Sequence, residues 1–375
     1  MKVGQGKRKI LFVIPSMAGG GAERIVQLVV NNLSTERYEI KIAVFEDAPI
    51  SYALREDIEV ICLHKKNMYD LPRTIWRLLQ LIRNYIPTVV ISFLTYANYI
   101  SIIAHKLSGS AARLVISEHN NTSEALRHER FCLIKTYLIR LLYPSAHRII
   151  AVSRGCLEDL IKNFGVPKDK VKVIYNPVAL DEINRIKNEE PAHSWYRDKT
   201  VPILISVSRL TEQKGLIYLI KALRLVNEKI KCRLIITGEG EDRIKLEKEA
   251  LDLGIGNRVS FIGFQPNPFS FIKHADIFVF PSLWEGFGNV IIEAMACGTP
   301  VVSSDCHYGP SEIISDRVNG FLVTPGNENA LADAIKVLLI EENTRKQFIE
   351  KGLVRAKDFC AEDVTKEYEK VFDGK

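Results

Sequence analysis

Several features that assign proteins to common classes are missing from this sequence of 375 residues. No apolar run reaches the roughly 18 residues that a membrane-spanning helix needs. The seven cysteines are scattered, with no C-x-x-C pair and no histidine cluster at zinc-site spacing, which favours reduced thiols in the cytosol. Short-period repeats and low-complexity segments are also absent. We therefore expect that this is not a transmembrane protein, a disulfide-stabilised protein or a repeat protein.

The N-terminal stretch MKVGQGKRKILFVIPSMAGGG has a basic start followed by apolar residues, which is superficially similar to a signal peptide. The apolar part is short and enters a glycine turn, so we interpret it as a first β-strand. The length and the 47% apolar content predict two domains with ample cores.

Charge is unevenly distributed along the chain. Residues 1–185 have 26 basic and 17 acidic side chains, whereas residues 186–375 have 25 basic and 28 acidic ones. No nucleic-acid-binding motif is recognisable, so we predict no nucleic-acid partner. Two segments with helical periodicity, 70–87 and 126–144, combine basic residues with apolar and aromatic ones, as helices on an anionic membrane surface do. Ordinary amphipathic helices packed on a sheet remain the alternative.

Apolar, β-branched runs alternate with helical patterns through both halves of the chain, which predicts two parallel sheets covered by helices. The predicted strands are KILFVIP, EIKIAVF, IEVICL, TVVISFL, RLVISEH and RIIAVS, and then VPILISVS, CRLIITG, RVSFIG, DIFVFPS and TPVVSS. A polar linker is expected near residues 178–200. The fold class is therefore α/β, with two doubly wound, Rossmann-like domains over residues 1–185 and 186–359 that would face each other across a cleft. Ligands of such sheets bind at the carboxyl ends of the strands.

The most informative stretch is WEGFGNVIIEAMACGTPVVSSD, which begins at Trp284. Glycine residues beside the unpaired amides of a helix start make a plausible seat for an anion. Glu285 in the turn and Glu293 one turn into the helix would repel a phosphate, so each is expected to accept hydrogen bonds from hydroxyl groups. A nucleotide sugar combines phosphate with hydroxyl-rich parts. An ordinary helix start with an acid that complements the dipole stays open as the alternative.

Other strand ends carry further candidates. Gly19, Gly20 and Gly21 follow the first strand and suit either an anion or a tight structural turn. His119 ends the strand RLVIS, and a lone histidine is more often structural. Arg209 and Lys214 follow VPILISV, where two cations would hold a diphosphate, or would simply be an exposed surface pair.

Together these motifs resemble the family 4 retaining glycosyltransferases of the GT-B fold, in particular the bacterial branch that extends lipid-linked oligosaccharides, capsules and O-antigens. The resemblance covers nearly the whole chain, with the motifs in the family's order. They are PSMAGGGAER, FLTYANYISIIAHKL, SEHN, AHRIIAVSRGCLEDLI, IYNPV, SVSRLTEQKG, ITGEGED, FIGF, DIFVFPSLWEGFGNVIIEAMACGTPVVSSD and NGFLV.

The resemblance implies a role for each candidate. Arg209 and Lys214 would neutralise the donor diphosphate, and Glu293 would hold the ribose hydroxyls. Glu285 would contact the donor sugar, which His119 would touch from the other domain. The backbone amides implied to help are those of Gly288, Asn289, Val290 and the Gly20–Gly21 turn at the diphosphate, and those of Gly286 and Phe287 at the sugar. The final helix, residues 360–375, would return to the first domain.

We expect a sugar to be transferred from a nucleoside-diphosphate donor, UDP-hexose or UDP-N-acetylhexosamine. The acceptor would be a polyprenyl-diphosphate-linked glycan in cell-surface polysaccharide or glycoprotein glycan assembly. In the family the acceptor hydroxyl attacks directly, with the donor phosphate as base. No Asp-x-Asp triplet occurs, which fits the absence of a metal or other cofactor. We expect a peripheral protein at the inner face of the cytoplasmic membrane. Two alternatives remain, a nucleotide-sugar epimerase of related fold and a noncatalytic sugar-nucleotide-binding subunit.

Overall fold

A computed structural model of the protein describes residues 6–127 and 131–374. The chain divides into two compact units. The first unit runs to Pro177 and includes the chain again from Ala361, and the second comprises Val178–Cys360.

The first unit contains a seven-stranded parallel sheet in the part of the chain described. Its strands are β1 Arg8–Ile14, β2 Tyr38–Val44, β3 Glu59–Cys62, β4 Val89–Phe93, β5 Arg113–Glu118, β6 Arg148–Ala151 and β7 Val171–Val173. The sheet order is β3-β2-β1-β4-β5-β6-β7, so the strand order reverses between β1 and β4. The helices of the first unit before Pro177 are α1 Gly21–Asn32, α2 Leu71–Tyr85, α3 Thr95–Ser108, α4 Thr122–Arg127, α5 Cys132–Leu142 and α6 Arg154–Phe164.

The second unit repeats this design with six parallel strands. They are β8 Ile203–Val207, β9 Arg233–Thr237, β10 Val259–Phe261, β11 Ile277–Phe280, β12 Val301–Ser304 and β13 Phe321–Val323. The order is β10-β9-β8-β11-β12-β13, with the reversal between β8 and β11. Its helices are α7 Leu180–Ile186, α8 Ser194–Arg197, α9 Leu216–Asn227, α10 Arg243–Asp252, α11 Pro268–His274, α12 Asn289–Cys297, α13 Pro310–Ile313, α14 Glu328–Ile340 and α15 Glu342–Ala356.

All eleven predicted strands are confirmed, because continuous apolar runs such as Ile277–Phe280 are buried from both sides, as strands of a covered parallel sheet must be. Two strands were missed, β7 and β13. Both have three residues and lie at an edge of their sheet, and a run this short shows no strand periodicity in the sequence.

The last helix, α16 Ala361–Phe372, packs in the first unit. Tyr368 and Phe372 are almost completely buried in the core that also contains β1 and β2. The Arg8 guanidinium donates to the Phe372 carbonyl at 2.8 Å and forms an ion pair with Asp373. The first unit is therefore built from both ends of the chain.

The segment expected to be a linker, residues 178–200, is instead part of the second unit. It contains α7 and α8, and Ile183 is 1% exposed. The Tyr196 hydroxyl donates to the Phe271 carbonyl at 2.8 Å, and the Lys187 ammonium donates to the Ala296 carbonyl at 3.0 Å. Polar composition misled the prediction because these polar side chains bind backbone carbonyls. The boundary after residue 185 consequently falls within α7, and the structure divides the units at Pro177.

The two segments predicted to be basic helices have different outcomes. The first, 70–87, contains the single helix α2. The second, 126–144, is not one helix, because α4 ends at Arg127 and α5 begins at Cys132 after Phe131, which has a left-handed φ of 67°. Residues 128–130 lie outside the described part.

Within residues 6–127 and 131–374, no helix has the length and apolar character needed to cross a membrane.

Candidate active site

The loops that follow β8 and β11 lie where the strand order of the second sheet reverses. These strands are neighbours, and the sheet continues to β9 on one side and to β12 on the other. Chain connections that leave a parallel sheet in opposite directions open a crevice at this position, and ligands of doubly wound sheets bind there. Arg209 and Lys214 lie on the β8 loop, and Glu285 lies on the β11 loop.

Arg209 lies in a loop whose backbone packs against a glycine. The amide of Ser208 donates to the Thr237 carbonyl at 3.1 Å. Gly238 has a φ of 126°, and a Cβ placed on it would overlap the Ser208 carbonyl oxygen. The Arg209 backbone is therefore held against the sheet edge, while the residue itself is exposed.

Lys214 and Glu285 form an ion pair between the two loops. Backbone contacts bring them together, since the Leu283 amide donates to the Gln213 carbonyl at 2.8 Å and the Gln213 side-chain amide donates to the Trp284 carbonyl at 2.9 Å. The Lys214 and Glu285 side chains are only 15% and 10% exposed. The resemblance had assigned them to neighbouring parts of one ligand, and the structure brings them into direct contact.

The surroundings of this pair strengthen its electrostatics. The Lys214 ammonium lies 5.7 Å from the centroid of the Phe280 ring, whose π face attracts a cation. Burial, followed by the nearby Glu285 carboxylate, raises the pKa of the Cys306 thiol. An anionic ligand in so poorly solvated a place interacts with Lys214 more strongly than it would in water.

Helix α12 begins beside this pair. Gly288 precedes it with a φ of 106° and, as a glycine, provides no side-chain cap. Ile291 and Ile292 are buried, whereas Asn289, Val290 and Glu293 are half-buried. Glu293 is one helical turn beyond Asn289, so both lie on the same side of the helix. The start of α12 therefore places its first amides at the helix end and the Glu293 carboxylate on the side that Asn289 shares.

Phe287 differs from the other candidates in this loop because its ring belongs to the core. It is 2% exposed and packs edge-on against Phe359, with ring centroids 5.6 Å apart. A Cβ on Gly309 would overlap the Phe287 carbonyl oxygen. Gly286 is buried as well. Any contact of Gly286 and Phe287 with a sugar would therefore come from their backbone amides.

His119 follows β5 in the first unit. Its Nε2 lies 2.9 Å from the Ser117 hydroxyl, and its ring stacks on Phe93 with centroids 5.4 Å apart. Phe93 stacks in turn on Tyr368 of α16 at 6.4 Å. The C-terminal helix thus supports the histidine through one intervening ring.

Burial lowers the pKa of His119 to about 3, so the imidazole is neutral throughout the physiological range. Its Nδ1 is buried and makes no hydrogen bond to any residue that the structure describes. A neutral imidazole can donate one hydrogen bond and accept another without adding charge to a site.

The glycine turn after β1 lies at the same edge of the first sheet. Gly19 has a φ of 102°, and a Cβ on it would lie 3.0 Å from the Ser51 hydroxyl oxygen, so packing accounts for this glycine. Gly20 has extended backbone before α1, and the Glu23 carboxylate lies over it. Gly21 has open space around its Cβ position. A carboxylate beside the turn disfavours an anion there, and the diphosphate role of Gly20 and Gly21 stays a prediction.

Sequence reasoning overlooked the supporting residues. Gly238 lies in the motif ITGEGED, where a glycine directly after a strand indicates a close backbone approach. Gln213 and Tyr368 had no such signal, since their contacts join segments that are 71 and more than 200 residues distant in sequence. Among the described residues, no three His, Cys, Asp or Glu side chains are grouped closely enough to hold a metal ion. The predicted independence of metal stays a prediction.

Comparison with known proteins identifies the family. Residues 19–182 match the domain described as Glycosyltransferase Family 4, and residues 188–355 match Glycosyl transferases group 1. The chain is 33% identical over 360 residues to an N-acetylgalactosamine-N,N'-diacetylbacillosaminyl-diphospho-undecaprenol 4-alpha-N-acetylgalactosaminyltransferase of Campylobacter jejuni, covering 94% of this chain and 96% of the relative. This chain belongs to the family 4 glycosyltransferases.

Other similar proteins agree with that membership. A second Campylobacter jejuni enzyme, a GalNAc-alpha-(1->4)-GalNAc-alpha-(1->3)-diNAcBac-PP-undecaprenol alpha-1,4-N-acetyl-D-galactosaminyltransferase, is 28% identical over 97% of this chain and 98% of its own length. HepE of Anabaena, solved in complex with UDP, superposes with a TM-score of 0.82 at 24% identity and covers 98% of this chain and 100% of its own. This glycosyltransferase therefore has the predicted GT-B fold.

Gly238→Ala should destabilise the second unit of the glycosyltransferase by about 3 kcal/mol, because it adds a steric overlap to backbone strain. Gly254→Ala is the matched control, since Gly254 also has a positive φ, 70°, but has no atom within 4 Å of its Cβ position. We expect the control to cost about 1 kcal/mol. Urea unfolding followed by circular dichroism measures both, and equal losses would contradict the proposed close approach.

The ring of His119 should not titrate between pH 5 and pH 9, because burial holds its pKa near 3. Its neutral form is favoured in the folded protein and less so when unfolded, so its contribution to stability is present above about pH 6.5 and declines as the pH falls. The carbon-13 shift of the His119 ring, assigned by comparison with His119→Gln, measures this. A midpoint near 6.5 would show that the ring is solvated.

Proposed function

We propose that this glycosyltransferase moves a sugar from UDP to a glycan carried on polyprenyl diphosphate, with retention of anomeric configuration. The observation that carries the proposal is the grouping of Arg209, Lys214, Glu285 and the start of α12 at one strand-order reversal. Cations, the amides of a helix start and a carboxylate are the three kinds of group that recognise diphosphate and sugar hydroxyls.

The relatives support the substrates. The names of both Campylobacter enzymes specify undecaprenol-linked acceptors and an α-linked N-acetylgalactosamine product. UDP-N-acetylgalactosamine carries its sugar in the α configuration, so an α-linked product is what retention requires. HepE binds UDP in its crystal structure. UDP-N-acetylgalactosamine is therefore the first donor to test.

In the proposed reaction, the acceptor hydroxyl oxygen forms a bond to the anomeric carbon. The bond from that carbon to the diphosphate breaks, and its electron pair leaves with UDP. The hydroxyl proton passes to the leaving diphosphate. Negative charge grows on the diphosphate oxygens, so the catalytic contribution of the protein is to stabilise that charge.

Arg209 and Lys214 are the residues that supply this stabilisation. Arg209 is exposed and can bind the diphosphate with two parallel hydrogen bonds. Lys214 has three donor hydrogens, so it can keep its contact with Glu285 while donating to a phosphate oxygen. The amides of Gly288, Asn289 and Val290 would add positive potential from the helix start.

The carboxylates of Glu285 and Glu293 bind hydroxyl groups of the donor in this proposal. Glu285 accepts hydrogen bonds from the transferred sugar, aided by the amides of Gly286 and Phe287, and its bond to Lys214 fixes its orientation. Glu293 accepts hydrogen bonds from the ribose. His119 contacts the transferred sugar as a neutral group. None of these steps uses a metal ion.

The proposed site of action is the inner face of the cytoplasmic membrane, and α5 supports it better than α2 does. Leu133, Ile134, Tyr137 and Leu141 of α5 are 81%, 58%, 64% and 57% exposed. They recur at helical spacing and form one apolar row, with basic Lys135 beside it and no acidic residue in the helix.

Two of the three arginines of α2, Arg77 and Arg83, have structural partners instead. The Arg77 guanidinium donates to the Leu63 carbonyl at 2.5 Å, and Arg83 donates to the Ser108 and Leu107 carbonyls at 3.1 and 3.2 Å. These contacts fit the alternative of a packed amphipathic helix. We therefore assign membrane contact to α5 and treat α2 as a packing element.

Transfer should be detected by incubating the full chain with UDP-N-acetylgalactosamine, UDP-N-acetylglucosamine, UDP-glucose or UDP-galactose and a polyprenyl-diphosphate-linked N-acetylhexosamine. We expect UDP release that needs the acceptor and persists with a chelator, and an α-linked product by NMR. Isomerised donor without acceptor would support the epimerase instead. Tight UDP binding without UDP release, also in the presence of membrane extract, would support the noncatalytic subunit.

Lys214→Ala should lower kcat/KM by roughly 100-fold or more, because one charge contact to a leaving group is worth about 3 kcal/mol. Lys221→Ala is the control, since Lys221 is a half-exposed lysine of the same unit whose ammonium lies 3.9 Å from Glu249. We expect the control to stay within about twofold of wild type. A Lys214→Ala variant with wild-type rates and an intact unfolding transition would refute the diphosphate assignment.

Vesicles that contain anionic lipids should bind the protein, and less so as salt increases. Leu133→Ser combined with Tyr137→Ser should lower the bound fraction several-fold because apolar burial drives the contact. Leu251→Ser, at a 69% exposed leucine of α10, is the matched control. Flotation in a density gradient measures binding, and equal binding of all three proteins would leave α5 without a membrane role.

A further inference from the structure

The first unit buries a carboxylate that the proposed reaction does not use. Glu118 is the last residue of β5 and is 1% exposed. Its oxygens accept hydrogen bonds from the Asn98 amide at 2.7 Å, from the Thr95 hydroxyl at 3.0 Å and from the Tyr143 hydroxyl. A carboxylate buried this deeply is unfavourable unless such partners compensate its lost hydration.

The three donors come from different parts of the first unit. Thr95 is the first residue of α3, Asn98 lies one turn later, and Tyr143 directly follows α5. The Ser92 hydroxyl donates to Asn98 Oδ1 at 2.6 Å, which orients the Asn98 amide toward Glu118. Burial raises the pKa of Glu118, and the three hydrogen bonds oppose that rise. Glu118 therefore ties the end of β5 to the start of α3 and the end of α5.

Glu118 supports the strand end from the side opposite to His119. Side chains alternate along a strand, so Ser117 and His119 share one face and Glu118 points to the other. The hydrogen bond between Ser117 and His119 agrees with this alternation. The Leu94 amide, just before α3, also donates to the Ser117 carbonyl at 3.2 Å. Movement of Glu118 would therefore shift the backbone that carries His119.

A second buried carboxylate holds the other end of the segment 118–123, which runs from the last residue of β5 through three loop residues to the first two residues of α4. Asp159 is 1% exposed and accepts from the Ser123 amide at 2.9 Å and from the Ser123 hydroxyl. The Asn163 side-chain amide donates to the same carboxylate at 2.7 Å. A six-residue segment held by buried carboxylates at both ends has little freedom, and His119 is its second residue.

We propose that Glu118 is a positioning residue, whose buried hydrogen bonds fix the 118–123 segment and with it the ring of His119. This inference rests on the proposed function insofar as His119 contacts the transferred sugar. Glu118 would act through the geometry of its hydrogen bonds. A glutamine could reproduce it, because its Oε1 can accept from Asn98 and Tyr143 while its Nε2 donates to the Thr95 hydroxyl oxygen.

The first test measures the 118–123 segment directly, by hydrogen exchange on the full chain. Tyr143→Phe removes one bond to Glu118, and Tyr85→Phe is the matched control, since the Tyr85 hydroxyl donates at 2.9 Å to the Glu39 carbonyl far from this segment. We expect peptides covering 117–127 to exchange at least about tenfold faster in Tyr143→Phe and unchanged in Tyr85→Phe. Equal exchange in these peptides would overturn the proposal whatever the activity of the enzyme.

The second test is a double-mutant cycle with Glu118→Ala, Glu118→Gln and His119→Ala, followed by UDP release from UDP-N-acetylgalactosamine with the lipid-linked acceptor. We expect Glu118→Ala to lower kcat at least about tenfold, Glu118→Gln to restore most of it, and Glu118→Ala to cost nothing further in the His119→Ala background. UDP affinity, measured by calorimetry, should not change. Additive losses would overturn the positioning role, whereas a fully active His119→Ala would refute only the sugar contact of the proposed function.

Discussion

The reversal of strand order between β8 and β11 determines where this enzyme can concentrate charge. Among the described strands of the second sheet, only the neighbours β8 and β11 send their loops apart, so that the backbone of one loop can reach the other without a helix between them. Gly215 shows how close the approach is, because it has a φ of 58° and a Cβ on it would overlap the Pro281 carbonyl oxygen. Lys214 and Glu285 meet because these two backbones meet.

The ion pair at this place has a double consequence. Removing either partner would leave the other charge poorly solvated, which is more unfavourable than losing an exposed pair. The pair also holds Glu285 in one orientation before a ligand arrives. Preorganised groups need little rearrangement as charge develops in a transition state, and this is the main source of electrostatic catalysis. The same contact that stabilises the loops therefore prepares them for the proposed chemistry.

Much of this could be predicted from the sequence, for reasons that particular residues make clear. Ile277–Phe280 and Ile203–Val207 are short, apolar and buried, so the strands and the loops after them were identifiable, and with them Arg209, Lys214, Glu285 and Glu293. Local pattern contains no information on which side chains from distant segments touch. The pairing of Lys214 with Glu285, the stacking of Tyr368 behind Phe93 and the three donors to Glu118 are all contacts of this kind.

The two units differ in how they treat charge, and the difference suits the proposed reaction. The second unit places the Arg209 and Lys214 side chains at its strand ends, where a diphosphate would gain charge. The first unit keeps His119 neutral by burial and surrounds the Glu118 carboxylate with donors. A protonated His119 near the sugar would disfavour the positive charge that develops on the anomeric carbon as the bond to diphosphate breaks. A neutral imidazole avoids this effect and still orients a hydroxyl, so the burial that lowers its pKa suits the proposed mechanism.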